Sequence, residues 1–184
     1  MSHSERTHAI LSASGSHRWL VCTPSARLEQ EFPETTSEYA EEGTLAHELA
    51  ELYLQKYLGQ ITKAPFTRRL NKYKKEHDIP QEMLAYVEGY AELAIERINE
   101  ARARSKDAVV LIEQRLDYSP WVPDGFGTGD LVLIADGILE IVDLKYGKGV
   151  PVSAEGNTQM RLYALGALND FGYLYDIETV RMTI

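Results

Sequence analysis

Three charged residues stand out because they interrupt apolar runs in the second half of the chain. Asp143 and Lys145 lie two residues apart near the end of the run 138–145, and Asp130 follows the short segment 127–129 in the preceding run. On an extended backbone, a spacing of two places Asp143 and Lys145 on the same face of a sheet. Two carboxylates and a lysine suit metal-assisted cleavage of a phosphodiester. The acids would hold Mg²⁺ or Mn²⁺, and the ammonium would meet charge near the attacking water.

Taken alone, Asp143 and Lys145 are more typical of an ion pair at the rim of a sheet. The dipeptide Asp136-Gly137 adds support for a site, because Asp-Gly between two apolar runs predicts a tight hairpin. That hairpin would bring the strand of Asp130 against the strand of Asp143. We therefore expect both acids to face one pocket.

His47 opens the string His-Glu-Leu-Ala-Glu, in which Glu51 stands where a zinc protease has its second histidine. Zinc proteolysis is therefore not expected. A lone histidine on a helix is commonly structural. The other interpretation is that His47 reaches the carboxylates and favours Mn²⁺, which accepts imidazole more readily than Mg²⁺ does.

Two further positions have two interpretations each. Glu113 either adds a third carboxylate to the site or is a rim charge paired with Arg115. Gln159 and Tyr163 share a helix face because they are four residues apart. They either orient Lys145, a phosphate or a base, or form a pair on the helix surface.

The composition limits the class of protein. With 184 residues, 44% hydrophobic and 26% charged, the chain is expected to form a single domain over 1–184. No apolar run approaches the roughly 18 residues of a membrane-spanning helix, and no signal-peptide pattern is present, so we predict a cytoplasmic protein without a membrane partner. Cys22 is the only cysteine. A single cysteine excludes an iron–sulfur cluster built by this chain alone.

The net charge and the distribution of basic residues point to opposite conclusions about nucleic-acid binding. A net charge of −9 opposes broad electrostatic attraction to nucleic acid. Basic residues nevertheless cluster in one stretch, at Arg68, Arg69, Lys72, Lys74 and Lys75. This cluster is either a solvated loop or helix end, or a patch that contacts DNA.

The periodicity of apolar residues predicts a helical part over 1–105 and a β-rich catalytic core over 106–184. Helices are predicted over 14–30 with a break at Pro24, over 37–58, over 80–104 and over 157–172. Strands are predicted over 109–116, 129–134, 138–146 and 177–184. The expected fold class is α/β, with a central mixed sheet flanked by helices and a helical N-terminal section. Because the sequence stops inside an apparent strand, we expect a chain truncated at its C-terminus.

Five motifs resemble those of the RecB-like branch of the PD-(D/E)XK nuclease superfamily, and they occur in the same order as in that branch. They are Ser12-Ala-Ser14 through Trp19 and Cys22, Gly43-Thr-Leu-Ala-His47, Gly127-Thr-Gly-Asp130, Asp143-Leu-Lys145 and Gln159-Met-Arg-Leu-Tyr163. The chain is most similar to uncharacterised phage- and prophage-encoded members. It departs from the branch in having Gly129, not proline, before Asp130, and in lacking the four-cysteine cluster of some relatives.

The resemblance implies a restriction-endonuclease-like core with a metal held by His47, Asp130, Asp143 and the Leu144 carbonyl. Lys145 would position or activate the water, and Gln159 and Tyr163 would support the site or the DNA. The expected function is a Mg²⁺- or Mn²⁺-dependent deoxyribonuclease, an exonuclease in phage recombination or DNA end processing, with a recombination or helicase protein as partner. The alternatives are a noncatalytic nucleic-acid-binding or assembly module that keeps the nuclease fold, and a metal-dependent hydrolase of small phosphate esters.

Overall fold

The computed structural model describes residues 9–32, 37–147 and 151–184. The predicted domain 1–184 also includes 1–8, 33–36 and 148–150, which lie outside these ranges. The helical section comprises α1 (Ser16–Trp19), α2 (Ser25–Glu29), α3 (Glu38–Tyr57), α4 (Lys63–Glu76) and α5 (Gln81–Arg104). The β-rich part comprises β1 (Val109–Asp117), β2 (Phe126–Ala135), β3 (Ile138–Val142), α6 (Thr158–Phe171) and β4 (Thr179–Thr183).

The helices that carry His47 and the pair Gln159 and Tyr163 begin at side-chain caps. Ser37 accepts a hydrogen bond from the backbone N–H of Ala40 at the start of α3, and Asn157 accepts one from Met160 at the start of α6. The predictions of α3, α5 and α6 are confirmed. The basic stretch 68–75 forms the C-terminal part of α4, so the alternative of a loop is wrong and that of a solvated helix end is supported. Among the described residues, no helix has both the length and the apolar character needed to span a membrane.

The sheet is mixed, with strand order β1-β2-β3-β4. β2 pairs antiparallel with β1 and β3, whereas β4 pairs parallel with β3 after the crossover through α6. Asp136 and Gly137 join β2 to β3 with φ values of 51° and 72°. Both residues of a tight type I′ turn require positive φ, so the predicted hairpin is confirmed.

The side chains of β2 alternate between two apolar layers. Leu131 and Leu133 pack with α3 and α5 on one face, and Val132 and Ile134 pack with α6 on the other. This alternation is what an extended strand dictates when both faces are covered. The fold is therefore α/β, with a mixed sheet between helical layers, as predicted.

The third strand is shorter than predicted: it ends at Val142 and not at residue 146. The backbone N–H of Asp143 still donates to the carbonyl of Thr183, at 3.0 Å. The next N–H, that of Leu144, donates to Oδ2 of Asp130 at 2.6 Å. The N–H of Leu144 thus bonds to the side chain of Asp130 and not to the backbone of a neighbouring strand. β3 has ended at this point. The last strand is also shorter than predicted, whereas β1 and β2 are longer.

Candidate metal centre

Three carboxylates of neighbouring segments of the sheet lie at the level where β3 ends. The last apolar row in this register comprises Ile112, Leu131 and Val142. The residues adjoining this row are Glu113 on β1, where the β1–β2 pairing skips one residue, Asp130 on β2, and Asp143 directly after β3. Asp130 is 8% exposed and Asp143 is 2% exposed. The β2–β3 pairing and the effect of the Asp130 charge on Asp143 show that the two acids are neighbours, whereas their opening into one pocket stays a prediction.

The backbone of β1 has an unusual conformation at Glu113, where φ is 48°. This left-handed conformation is costly for a residue with a side chain and is concentrated at functional sites. The potential ligand atoms of Glu113, His47 and Asp130 all lie within 4.8 Å of one another. Arg115, the other predicted partner of Glu113, places its guanidinium carbon 3.5 Å from the centroid of the Phe126 ring. The left-handed backbone at Glu113 therefore occurs where its carboxylate joins the cluster of potential metal ligands.

α3 contributes the imidazole of the centre. Nδ1 of His47 lies 3.1 Å from Oδ1 of Asp130, so the histidine reaches the carboxylates as predicted. The second oxygen of Asp130 is the acceptor for the N–H of Leu144. Both oxygens of Asp130 are therefore fixed in place. The role of the Leu144 carbonyl as a ligand stays a prediction.

α6 supports the third acid from the other face of the sheet. Nε2 of Gln159 lies 3.4 Å from Oδ1 of Asp143 and 3.1 Å from the hydroxyl of Tyr163, so the predicted pair on α6 is confirmed as a pair. Oδ2 of Asp143 forms an ion pair with Lys145, whose side chain is 30% exposed. A Cβ built on Gly127 would lie 2.6 Å from Cε1 of Tyr163. Glycine at this position makes room for the tyrosine ring.

Burial and neighbouring charges together raise the pKa values of three groups in the centre. Burial and then the charge of Asp130 raise the pKa of Asp143 to about 6, against the opposing effect of Lys145. Burial and then the charges of Asp130 and Glu51 raise the pKa of Glu113 to about 7. Burial lowers the pKa of His47, but its hydrogen bond to Asp130 and the surrounding carboxylates outweigh that effect and raise it overall. The cluster therefore favours added positive charge at neutral pH.

These donors fit a divalent cation. Oxygen ligands from carboxylates are those that Mg²⁺ and Mn²⁺ prefer, and an added imidazole is more acceptable to Mn²⁺ than to Mg²⁺. His47, Glu113 and Asp130 supply a compact set of donors. Asp143 lies next to this set, and its buried Oδ2 is held by the ion pair with Lys145.

Sequence reasoning missed one residue of the centre, Tyr90 on α5. Tyr90 lines a cavity of about 460 Å³ together with Asp143 and Lys145. It occupies an ordinary core-facing position of an amphipathic helix, in the same cluster as Val87 and Ala94. Its place in the sequence therefore carries no signal that separates it from packing residues.

The predicted DNA-binding residues divide into two groups. Arg68, Lys72, Lys74 and Lys75 are exposed on α4. Arg69 is partly buried, and its Nη1 donates to Oε1 of Gln55 on α3 at 2.8 Å. Arg69 therefore has a packing role between helices, whereas DNA contact by the exposed residues stays a prediction.

The fold and the site define an α/β protein whose mixed sheet carries a centre of histidine, carboxylates and lysine where β3 ends, with Asp130 and Asp143 buried. Residues 8–184 match the model of the family described as "Protein of unknown function (DUF2800)". The match covers nearly the whole chain, and the chain belongs to this family. No solved structure matches the chain.

Proposed function

We propose that the protein is a Mg²⁺- or Mn²⁺-dependent deoxyribonuclease that hydrolyses DNA phosphodiester bonds. The observation that carries the proposal is the arrangement of Glu113 on β1, Asp130 on β2 and Asp143 directly after β3, with Lys145 in contact with Asp143. Asp130 and Asp143 are buried, and buried acids destabilise a fold unless they are compensated. A bound cation and an anionic substrate would supply the missing compensation.

The metal would be held by His47, Glu113, Asp130 and Asp143. A divalent cation at this position supplies Lewis-acid chemistry, which activates water and neutralises charge that develops on the phosphate. Asp130 is suited to be the central ligand, because the N–H of Leu144 fixes its carboxylate. Glu113 and His47 approach it from β1 and α3.

Lys145 would act on the reacting groups themselves. Its partly exposed ammonium contacts Asp143, so it is held at the edge of the centre and remains accessible from solvent. There it can orient the attacking water and stabilise negative charge on the phosphate. Gln159 would keep the Asp143 carboxylate in position, and Tyr163 supports Gln159 in turn.

The proposal extends to the biological setting through the resemblance to the RecB-like branch of the PD-(D/E)XK superfamily. We place the protein in the cytoplasm of a bacterial or phage-infected cell, as an exonuclease in phage recombination or DNA end processing. DNA and a recombination or helicase protein would be its partners. The exposed basic residues of α4 would contact the DNA backbone.

The test is digestion of end-labelled linear DNA and covalently closed circular DNA by the intact chain, in Mn²⁺, Mg²⁺ or EDTA. We expect metal-dependent loss of the linear DNA alone, and we expect Asp143→Asn to abolish it. Cutting of the circles would make the protein an endonuclease. Equal digestion by the Asp143→Asn variant would reject this centre as the source of the activity.

The net charge of −9 favours a second candidate, a noncatalytic nucleic-acid-binding or assembly module that keeps the fold. Binding of DNA without cleavage under any metal condition would support that candidate. Cleavage of p-nitrophenyl phosphate esters but not of DNA would instead support a hydrolase of small phosphate esters.

A further inference from the structure

Two tyrosine rings meet at the surface of the protein beside Lys145. Tyr86 on α5 is 61% exposed, and its ring lies edge-to-face with that of Tyr146, with the centroids 6.1 Å apart and the planes at 71°. Tyr146 follows Lys145 directly in the segment after β3. The contact with Tyr146 therefore leaves more than half of the Tyr86 side chain open to solvent.

Tyr86 lines two cavities that also contain Lys145 in their walls. The smaller one has a volume of about 230 Å³ and is lined by Tyr86, Tyr146, Lys145, Gly147 and two glutamates. The larger one, of about 460 Å³, has Tyr86 on one wall and Asp143 and Lys145 on another. An exposed aromatic ring thus borders both recesses that reach from α5 to the lysine of the centre.

The charges of the smaller cavity favour a neutral ligand that donates hydrogen bonds. Its two acids are Glu82, which lies one helical turn before Tyr86 on α5, and Glu42 on α3. Carboxylates repel a phosphate, but they accept hydrogen bonds from the exocyclic amino groups of nucleobases. The cavity therefore suits a base, whereas Lys145 in its wall is the group that attracts the phosphate of the same strand.

We propose that Tyr86 stacks on an unpaired nucleobase of the substrate, and that the substrate is single-stranded DNA or the unpaired end of a duplex. This inference rests on the proposed function. Stacking on an aromatic side chain is open to every base, because every base has a π face. A base inside a duplex has its faces covered by its neighbours and its pairing edge occupied, so a stacking site of this kind selects an unpaired strand.

The test uses Tyr86→Ala, which removes the ring at an exposed helix position where alanine is favourable, and Tyr86→Phe, which keeps the ring. Tyr173→Ala is the matched control, because Tyr173 is 79% exposed after α6 and lines neither cavity. Fluorescence anisotropy gives the affinity for a fluorescein-labelled single strand and for a strand of equal length and charge made of abasic nucleotides. Ca²⁺ replaces Mn²⁺ in this assay, so that the strand remains intact.

We expect Tyr86→Ala to weaken binding of the intact strand by about 5- to 100-fold, which is the effect of losing one stacked base. Binding of the abasic strand should stay at the parental value, because that strand offers phosphates and no base. Tyr86→Phe and Tyr173→Ala should bind both strands as the parent does. A purely structural contact between Tyr86 and Tyr146 would instead weaken both strands equally in Tyr86→Ala.

Single-turnover cleavage in Mn²⁺ measures the selection of substrate. The parent should cleave a single strand faster than a blunt duplex, and Tyr86→Ala should reduce this preference. Mn²⁺ affinity, measured without DNA, should be the same in the parent and the variant, because Tyr86 lies outside the proposed donor set.

Parental affinity of Tyr86→Ala for the intact strand, equal weakening for both strands, or faster cleavage of the duplex by the parent would overturn the inference. Cleavage by the parent would in each case leave the nuclease proposal intact. Selective weakening of the intact strand by Tyr86→Ala, together with a parent that cleaves nothing, would support the base site and reject the nuclease. A parent that neither binds nor cleaves DNA would overturn both.

Discussion

Oδ2 of Asp130 accepts a 2.6 Å hydrogen bond from the backbone N–H of Leu144, which joins the two acidic motifs of the chain. The bond ends β3 immediately after the apolar residues that anchor it. Lys145 therefore lies outside the sheet, where its side chain can turn back to Asp143. Asp130 thus positions the lysine motif in addition to offering its other oxygen to His47.

Glu113→Gln should weaken Mn²⁺ binding by about tenfold or more, because the ligand loses its charge while the neighbouring donors remain. The affinity is measured by isothermal titration calorimetry at pH 7.5. Glu48→Gln is the control, since Glu48 is exposed on the same helix as His47. Equal Mn²⁺ affinity in Glu113→Gln and the parent would place the cation away from β1.

The stability of the metal-free protein should fall as the pH rises from about 4 to about 7. The pKa values of Asp143 and Glu113 are raised in the folded state to about 6 and about 7, so the native state binds more protons than the unfolded chain in this interval. The raised pKa of His47 acts in the same direction, because its stabilising contribution is lost as pH rises through the folded-state value.

Melting temperatures in EDTA should therefore be lower at pH 8 than at pH 5, and Mn²⁺ should raise them most at pH 8. Differential scanning calorimetry in matched buffers measures both effects. A melting temperature in EDTA that is constant or rises over this range would show that burial and mutual repulsion do not raise the pKa values of these acids in the folded state.

Gly127→Ala should destabilise the protein by about 1–3 kcal/mol, the usual cost of forcing extra volume into a packed site. The new Cβ would lie 2.6 Å from Cε1 of Tyr163. Urea unfolding gives the free energies of the parent, both single variants and the double variant with Tyr163→Ala. The cost of Gly127→Ala should be smaller when Tyr163 is already truncated. Additive costs would contradict a direct clash between the two positions.

Most of the architecture was predictable because local signals and packing agree. The apolar spacing of α3 and α5 and the Asp136-Gly137 turn each correspond to an observed element. α4 was missed because charged residues dominate it, and its inward-facing apolar residues are few, chiefly Phe66 and Leu70. The helix is stabilised by packing on α3, which short-range patterns do not report.

Only those parts of the site that depend on residue types and their spacing along the chain were predictable. The convergence of Asp130 and Asp143 followed from the hairpin, since a two-residue turn fixes the register. The left-handed backbone of Glu113 did not follow, because the residues around it contain no glycine or other turn signal. The position of Tyr90 was equally hidden, since its place beside the centre depends on how α5 packs beside 143–145.

The exposed basic residues of α4 should determine the salt dependence of DNA binding. Replacing Arg68, Lys72 and Lys75 with alanine should reduce the slope of log K against log[salt] by about 0.9 for each DNA phosphate that is no longer neutralised. Fluorescence anisotropy from 50 to about 200 mM salt covers the range in which this dependence is large. Lys106→Ala, at an exposed position between α5 and β1, is the control. An unchanged slope in the triple variant would show that DNA binds to another surface.

The measurement that tests the nuclease proposal most directly is the single-turnover rate of cleavage of end-labelled DNA in Mn²⁺ by the parent and by Lys145→Ala. We predict a fall of at least about 100-fold, because loss of one charge-stabilising group at a reacting centre has effects of this size. Circular dichroism and Mn²⁺ affinity should show that the variant still folds and binds the cation. Cleavage by Lys145→Ala at the parental rate, or no cleavage by the parent in any divalent cation, would contradict the proposal.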